Sequence, residues 1–319
     1  MGQVFAYLTH KNGVLDDSAM ELVNAAKAIS SEAATAVVCG SGIDAVATAA
    51  AAIFPKVIKV DNAALAYPNA EVVRKALVNV IPAGSVVLFA HNTFSMDCAP
   101  GLSVKLNASF VSDIVGIDGV DGSALKVVRQ EFGGVVSTHV NVDLSNGAVV
   151  AVRPGTFPAD ESKAAGGAIT AADAGDLSAK RKFIEVLAPE AGDVDITKAD
   201  ILVSIGRGIE DEENIQLAMD LKEAIGNIAE VSCSRPIVDA KWLDAARQVG
   251  TSGCTVKPKV YLACGISGSF QHLGGIKGGL IIAINKNPNA PIFQVANVGI
   301  VANIVEFIPA LTEKIEDMK

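Results

Sequence analysis

The segment Tyr261-Leu262-Ala263-Cys264-Gly265-Ile266-Ser267-Gly268-Ser269-Phe270-Gln271-His272 runs from an apolar stretch through a glycine- and serine-rich turn into a helical pattern opening at Ser267. A short apolar run bounded by such a turn predicts a buried strand. At a strand-to-helix turn, glycines let the backbone approach a ligand closely, and the free N–H groups of the helix start attract an anion, most often a phosphate. Tight turns also need glycine on steric grounds alone, so the turn by itself supports packing as much as binding. The spacing is not GxGxxG, and the usual NAD fingerprint is therefore absent. His272 falls about one and a half turns into the predicted helix, where a lone histidine serves a core as readily as a site.

The same alternation repeats outward from this segment. Strands are predicted at residues 201–205, 227–231, 260–264, 280–284 and 292–295, with helices at 212–225 and from about 300. Ile205-Gly206-Arg207-Gly208 and Val231-Ser232-Cys233-Ser234-Arg235-Pro236 each place an arginine just past the carboxyl end of a predicted strand, the edge where open α/β sheets bind ligands. Gln248-Val249-Gly250-Thr251-Ser252-Gly253 adds a turn rich in hydroxyls and poor in core-forming side chains. Four such turns within one domain point to a dinucleotide site. Farther out, apolar runs at 4–8, 35–39, 57–60, 85–90 and 110–115 alternate with helical patterns at 18–29, 43–53 and 70–80, which predicts βαβ units and a second parallel sheet. Valine pairs separated by Gly and Asn between about 116 and 157 suggest an antiparallel extension. Residues 159–175 are polar and small and read as a surface segment. The domain boundary is expected in the acidic loop 189–195, near residue 194, giving domains 1–194 and 195–319.

Composition narrows the classes. A chain of 319 residues exceeds the usual ~100–200 per domain, so two domains are expected. Half of it is apolar and 19% charged, which excludes a mainly disordered protein. With 35 acidic against 26 basic residues and no basic cluster, a nucleic-acid partner is excluded. The longest Ala-rich run is too short to span a bilayer, so no membrane insertion is expected. Met1-Gly2-Gln3 followed at once by apolar residues has no basic leader, and a cytoplasmic location is expected. Cys39, Cys98, Cys233, Cys254 and Cys264 are odd in number and lack a CxxC pair, which argues for buried thiols over disulfides or a tetrahedral metal site.

Ser234-Arg235-Pro236-Ile237-Val238-Asp239-Ala240, Gln248-Val249-Gly250, Tyr261 to His272, and Ile284-Asn285-Lys286-Asn287-Pro288-Asn289-Ala290-Pro291-Ile292-Phe293-Gln294-Val295-Ala296 together resemble the FAD domain of the electron transfer flavoprotein α subunit. The resemblance covers roughly residues 197–319; the first half fits in length and βα pattern only. It implies an adenine nucleotide hydrolase-like parallel α/β domain followed by a Rossmann-like (DHS-like) FAD-binding domain. It also implies a heterodimer with the electron transfer flavoprotein β subunit. Such a carrier accepts electrons from acyl-CoA or related flavin dehydrogenases and passes them to a membrane electron transfer flavoprotein–quinone oxidoreductase, with no substrate chemistry of its own.

By the same resemblance, Arg207, Ser234 and Arg235 are FAD contacts, with Arg235 over the flavin. Val249, Gly250, Thr251 and Ser252 form the loop at its edge, with Ser252 near N5. Ser267, Gly268, Ser269, Phe270, Gln271 and His272 wrap pyrophosphate and ring, with His272 near the C2 carbonyl. Asn285 and Asn303 lie toward the adenosine end, and Ile304 joins the cofactor contacts. A reduced flavin needs positive charge or donors at its N1/C2 edge, and Arg235 and His272 are expected to supply them. The sequence departs from the common pattern at Thr251-Ser252, Gly278-Gly279, Asn297 and Asn303. Two variants share these residues: an electron-bifurcating complex using NADH with a second FAD held mainly by the β subunit, and a flavin-free paralogue serving interaction or nucleotide sensing.

Overall fold

The computed structural model describes residues 2–132, 136–160, 166–185 and 194–318. The chain divides into two compact units, residues 1–185 and 186–319. Most of the loop expected to hold the boundary lies outside the described residues, as do Val186 and Leu187.

The first unit begins with β1 (Val4–Tyr7), the short pair β2 (His10–Lys11) and β3 (Val14–Leu15), α1 (Ser18–Lys27), β4 (Thr35–Gly40), α2 (Asp44–Ala51) and β5 (Lys56–Asp61). It continues with α3 (Ala70–Val80), β6 (Val86–Ala90), α4 (Thr93–Leu106), β7 (Ser109–Asp121), β8 (Ala124–Glu131), β9 (Val136–Asp143), β10 (Ala148–Val152) and β11 (Ala168–Ala171). One sheet orders them β11-β5-β4-β1-β6-β10-β7-β8-β9. Its central strands are buried on both faces, as their unbroken apolar sequences require. Val4, Ala6, Val86, Leu88, Ala148 and Val150 pack beneath α1 and α2, while Phe5, Tyr7, Val87, Phe89, Val149 and Ala151 pack beneath α3 and α4.

Two features of this unit differ from expectation. The antiparallel extension exists as β7-β8-β9, but residues 149–152 are not part of it: β10 runs parallel between β6 and β7 at the sheet centre. Residues 159–175, read as surface loop, include β11, an exposed parallel edge strand on β5. Helix α4 went unread because Pro100 and Gly101 interrupt its pattern, although Asn92 and Ser95 form a reciprocal capping box at its start. At Gly101 a Cβ would meet only the movable end of the Arg74 side chain of α3.

Asp113 and Arg153 brace the extension against β10 by two parallel hydrogen bonds of 2.8 and 2.7 Å. Burial opposes charge on Asp113, yet the Arg153 hydrogen bonds and charge outweigh it and hold the pKa below the usual carboxylate range. Asp113→Ala leaves Arg153 half-buried without its main partner and is expected to cost about 2 kcal/mol in urea unfolding. An unchanged midpoint would show that the pair contributes nothing.

The second unit holds β12 (Ile201–Ile205), α5 (Ile215–Ile225), β13 (Ala229–Cys233), α6 (Arg235–Asp239), β14 (Val260–Cys264), α7 (Phe270–Leu273), β15 (Leu280–Asn285), β16 (Val298–Val301) and α8 (Ile304–Glu316). All five strands are parallel, in the order β13-β12-β14-β15-β16. One face is covered by helices: Val203, Ile205, Val231, Leu262 and Ile284 pack with Ala218 and Leu221 of α5 and Ile304 and Ile308 of α8. The other is covered by loops: Leu202, Tyr261, Ala263 and Ala283 pack with Val249, Val256, Ile266, Ala290 and Ile292. The helix expected from Ser267 is only the four-residue α7. The strand expected at 292–295 is a 3-10 turn opened by Pro291, and the edge strand lies farther on as β16.

Cys39, Cys98, Cys233 and Cys264 are buried thiols and Cys254 is half-buried. Among the described residues no metal-binding cluster occurs and no helix is long and apolar enough to cross a membrane.

Candidate functional site

Strand order in the second unit reverses direction between β12 and β14, and in open α/β sheets the crevice at such a switch point, beyond the strand carboxyl ends, is where ligands bind. The two turns leaving these strands lie back to back. Gly206 N–H donates to the Cys264 carbonyl at 2.9 Å and Gly208 N–H to the Gly265 carbonyl at 3.0 Å. A Cβ on Gly208 would sit 2.7 Å from the Gly265 Cα, so neither turn admits a side chain at that crossing. Above them opens a cleft of about 680 Å³.

Arg207, Ser234, Arg235, Val249, Gly250, Thr251, Ser252, Ser267, Ser269, Gln271, His272 and Asn285 all line this cleft. Segments far apart in sequence thus converge: those at 207, 234–235, 267–272 and 285 leave parallel strands at the same edge, and the loop at 248–252 from the β13–β14 connection folds over it. The loop at 249–252 is fixed by the Thr251 N–H, which donates to the Gln271 carbonyl at 2.8 Å. Gln248 Nε2 donates to Ser252 Oγ at 2.9 Å, so that hydroxyl is already oriented. Asn285 braces two turns, donating to the Ile266 carbonyl and accepting from the Asn287 N–H, both at 2.9 Å.

Gly268, Phe270, Asn303 and Ile304 stand outside the lining. Gly268 lies at φ +84°, where a Cβ would meet the Ile292 backbone nitrogen at 2.3 Å; its glycine answers to packing, not to open cleft. Phe270 is 58% exposed. Asn303 caps α8 by accepting from the Val305 N–H at 3.2 Å, and Ile304 is buried against the helical face. The other sequence departures are structural too: Asn297 accepts from the Ile281 N–H, and Gly278 and Gly279 adopt positive φ in the turn before β15. None of Gly278, Gly279, Asn297 or Asn303 lines the cleft.

Glu210, Asp239, Lys286 and Asn287 line the cleft without having been singled out. The rule that found Arg207 and Arg235, a polar residue just past a strand's carboxyl end, points equally to Lys286 after β15. Lys286 Nζ pairs with Glu210 Oε1 at 2.6 Å, and Arg235 Nε approaches Asp239 Oδ2 at 3.3 Å. With Arg207 added, cations exceed carboxylates around the opening.

His272 differs from these exposed groups. It is 5% exposed, and burial pushes its pKa down to about 4, with a smaller opposite pull from the Val249 backbone. At neutral pH it is therefore an uncharged imidazole, and it brings to the cleft a donor or acceptor in place of the positive charge that sequence alone allowed. Its Nε2 lies 2.8 Å from Tyr261 Oη, and its Nδ1 is buried with no hydrogen-bond partner in the chain. A buried nitrogen without a partner in a residue that lines a cleft is open to a ligand or a water.

This donor set fits a flavin dinucleotide: guanidinium and ammonium groups for phosphate, hydroxyls and an oriented amide for ring and ribose, and an imidazole at a ring edge. The profile of the electron transfer flavoprotein FAD-binding domain matches residues 195–277, and that of the electron transfer flavoprotein domain matches residues 4–177. The chain is 30% identical to an electron transfer flavoprotein subunit alpha of Thermoanaerobacterium thermosaccharolyticum over 99% of its own length and 98% of the relative's. It is 34% identical to the subunit alpha of Bacillus subtilis over 73% of this chain and 71% of that one. Over 116 residues, 36% of this chain and 32% of the relative, identity to Protein FixB of Azotobacter vinelandii reaches 56%. With both halves of its length matched, the chain belongs to the electron transfer flavoprotein α-subunit family, and its second domain is that family's FAD-binding domain.

Proposed function

We propose that this chain pairs with an electron transfer flavoprotein β subunit in the cytoplasm, holds FAD in the cleft between the β12 and β14 turns, and serves as an electron carrier. Its donors are acyl-CoA or related flavin dehydrogenases and its acceptor a quinone oxidoreductase. The observation that carries this reading is the convergence of Arg207, Arg235 and His272 on one switch-point cleft. When bound, FAD supplies the ring that takes up and releases electrons. The chain's own residues determine how tightly and at what potential. Arg207 and Lys286 offer charge to the diphosphate, Arg235 offers charge to the ring, and the glycine crossing at Gly208 and Gly265 keeps side chains out of the cleft floor.

Co-expression with the β subunit tests this reading. A yellow heterodimer with one FAD, retained by the α chain, is expected. A colourless heterodimer would reject it, and two flavins with NADH-dependent reduction would replace the simple carrier by a bifurcating complex.

Arg235 is exposed and contributes little to folding, so Arg235→Ala is expected to leave the unfolding midpoint nearly unchanged. Losing one charged hydrogen bond of about 1.5–3 kcal/mol is expected to lower the first one-electron potential of the bound FAD by about 60–130 mV, read by redox titration. An unchanged potential would remove Arg235 from the ring.

A further inference from the structure

Gln248 is the only buried side-chain amide among the described residues, at 7% exposure. Its backbone extends the sheet edge: it bridges Cys233 in parallel, its N–H donates to the Ala245 carbonyl at 3.1 Å, and its carbonyl accepts from the Cys254 N–H at 2.7 Å. Burying an amide costs free energy unless it is hydrogen-bonded, and a methionine of similar length would avoid that cost. Packing therefore does not account for the amide at position 248. Its bond does, since Nε2 donates to Ser252 Oγ at 2.9 Å.

The loop between these two residues does not need that bond to keep its path. Gly250 N–H donates to the Cys254 carbonyl at 3.2 Å, Gly253 N–H to the Gly250 carbonyl at 3.0 Å, and Thr251 N–H to the Gln271 carbonyl at 2.8 Å. Gly253 also backs directly onto Gln248, where a Cβ would sit 2.3 Å from the carbonyl oxygen. With the main chain held in these ways, what the amide adds is a fixed hydroxyl. A serine hydroxyl has one proton and two lone pairs. Gln248 occupies a lone pair, and among the described residues no acceptor in the chain takes the proton. Ser252 is exposed and lines the cleft, so that proton is left for whatever fills it. Were residue 248 an acceptor, the same hydroxyl would turn its proton inward and show the cleft lone pairs only.

We propose that Gln248 is a positioning residue for the cofactor: by donating to Ser252 Oγ it holds the Ser252 hydroxyl as a donor to an acceptor atom of the bound flavin. Gln248 acts through Ser252 and touches no cofactor atom itself. The inference rests on the cleft being the FAD site.

The test is a double-mutant cycle in the full chain with its β subunit, reading FAD affinity and the position of the flavin's visible absorption band, which follows hydrogen bonding to the ring and not the stability of a loop. Gln248→Met and Ser252→Ala are each expected to weaken FAD binding by about two- to tenfold, the worth of one neutral hydrogen bond. The double variant is expected to bind no more weakly than Ser252→Ala and to show the same band shift, because both changes remove one interaction. Ser252→Thr keeps the hydroxyl and is expected to keep the affinity and the band. Losses that multiply in the double variant would mean that Gln248 supports the loop, and would overturn the proposal. An unchanged affinity and spectrum in Ser252→Ala would overturn it as well. Where Gln248→Met does not fold, Gln248→Leu takes its place in the same cycle; if neither folds, the amide is structural and the proposal fails. An unaltered heterodimer without FAD would reject the function proposed above and this inference with it, whereas a yellow one whose two losses multiply would reject this inference alone.

Discussion

Gly265→Val is expected to abolish FAD retention and to destabilise the chain by about 2–6 kcal/mol. Gly265 sits at φ +66°, a conformation a β-branched residue occupies only with strain of about 1–3 kcal/mol. Its Cβ would also lie 2.8 Å from the Gly208 Cα and 2.8 Å from Ile304 Cδ1, so the cleft floor and the helical face are both pushed apart, at a further cost of about 1–3 kcal/mol. Gly278→Ala is the control. It shares a positive φ of 79° but has open space at its Cβ, so it is expected to cost only about 1 kcal/mol and to keep its FAD. Urea unfolding and the flavin-to-protein absorbance ratio measure both effects. A Gly265→Val protein that purified yellow would contradict the back-to-back crossing.

The second large effect is a pH dependence centred on His272. Its folded pKa of about 4 lies below the unfolded value of about 6.5, so between those values the unfolded chain binds more protons. Stability therefore falls as pH falls through that window. The full loss, about 3 kcal/mol, is reached below about pH 4, and none remains above about pH 6.5. Other groups titrate in the same range, so the measurement is the difference between the unaltered chain and His272→Gln. The gap in unfolding free energy between the two is expected to shift by about 2 kcal/mol between pH 7 and pH 5, with the variant gaining relative to the unaltered chain. Parallel curves would show that His272 titrates normally.

Much of this site was legible because the chemistry of parallel sheets is local in sequence. Each strand end declares itself by an apolar run followed by Gly, Ser or Arg, and Arg207, Ser234 and Ser267 follow that rule, whereas Asn285 was reached only through the family resemblance. Illegible features depended on what faces what. Nothing in the string Ile266-Ser267-Gly268 says that Gly268 backs onto Ile292 while its neighbours line a cleft. Asn303 carries a plausible ligand group, yet a helix start uses it first. The reach of α7 was overestimated because Gly274-Gly275 ends it after one turn. In the first unit, residues 148–152 read like their antiparallel neighbours because β-branched runs look alike at an edge and at a centre; only tertiary pairing separates them.

The covering of the second sheet is lopsided, helices on one side and loops on the other, and this has a consequence for handling the protein. Helices satisfy their own backbone, whereas loops depend on what they close upon. Stripping the cofactor should leave the α5–α8 side as it was and relax only the opposite layer, so amide exchange and protease nicking should begin at residues 249–256 and 266–276. Storage with excess flavin would then lengthen shelf life by guarding one side of one domain, with the rest of the chain indifferent to it.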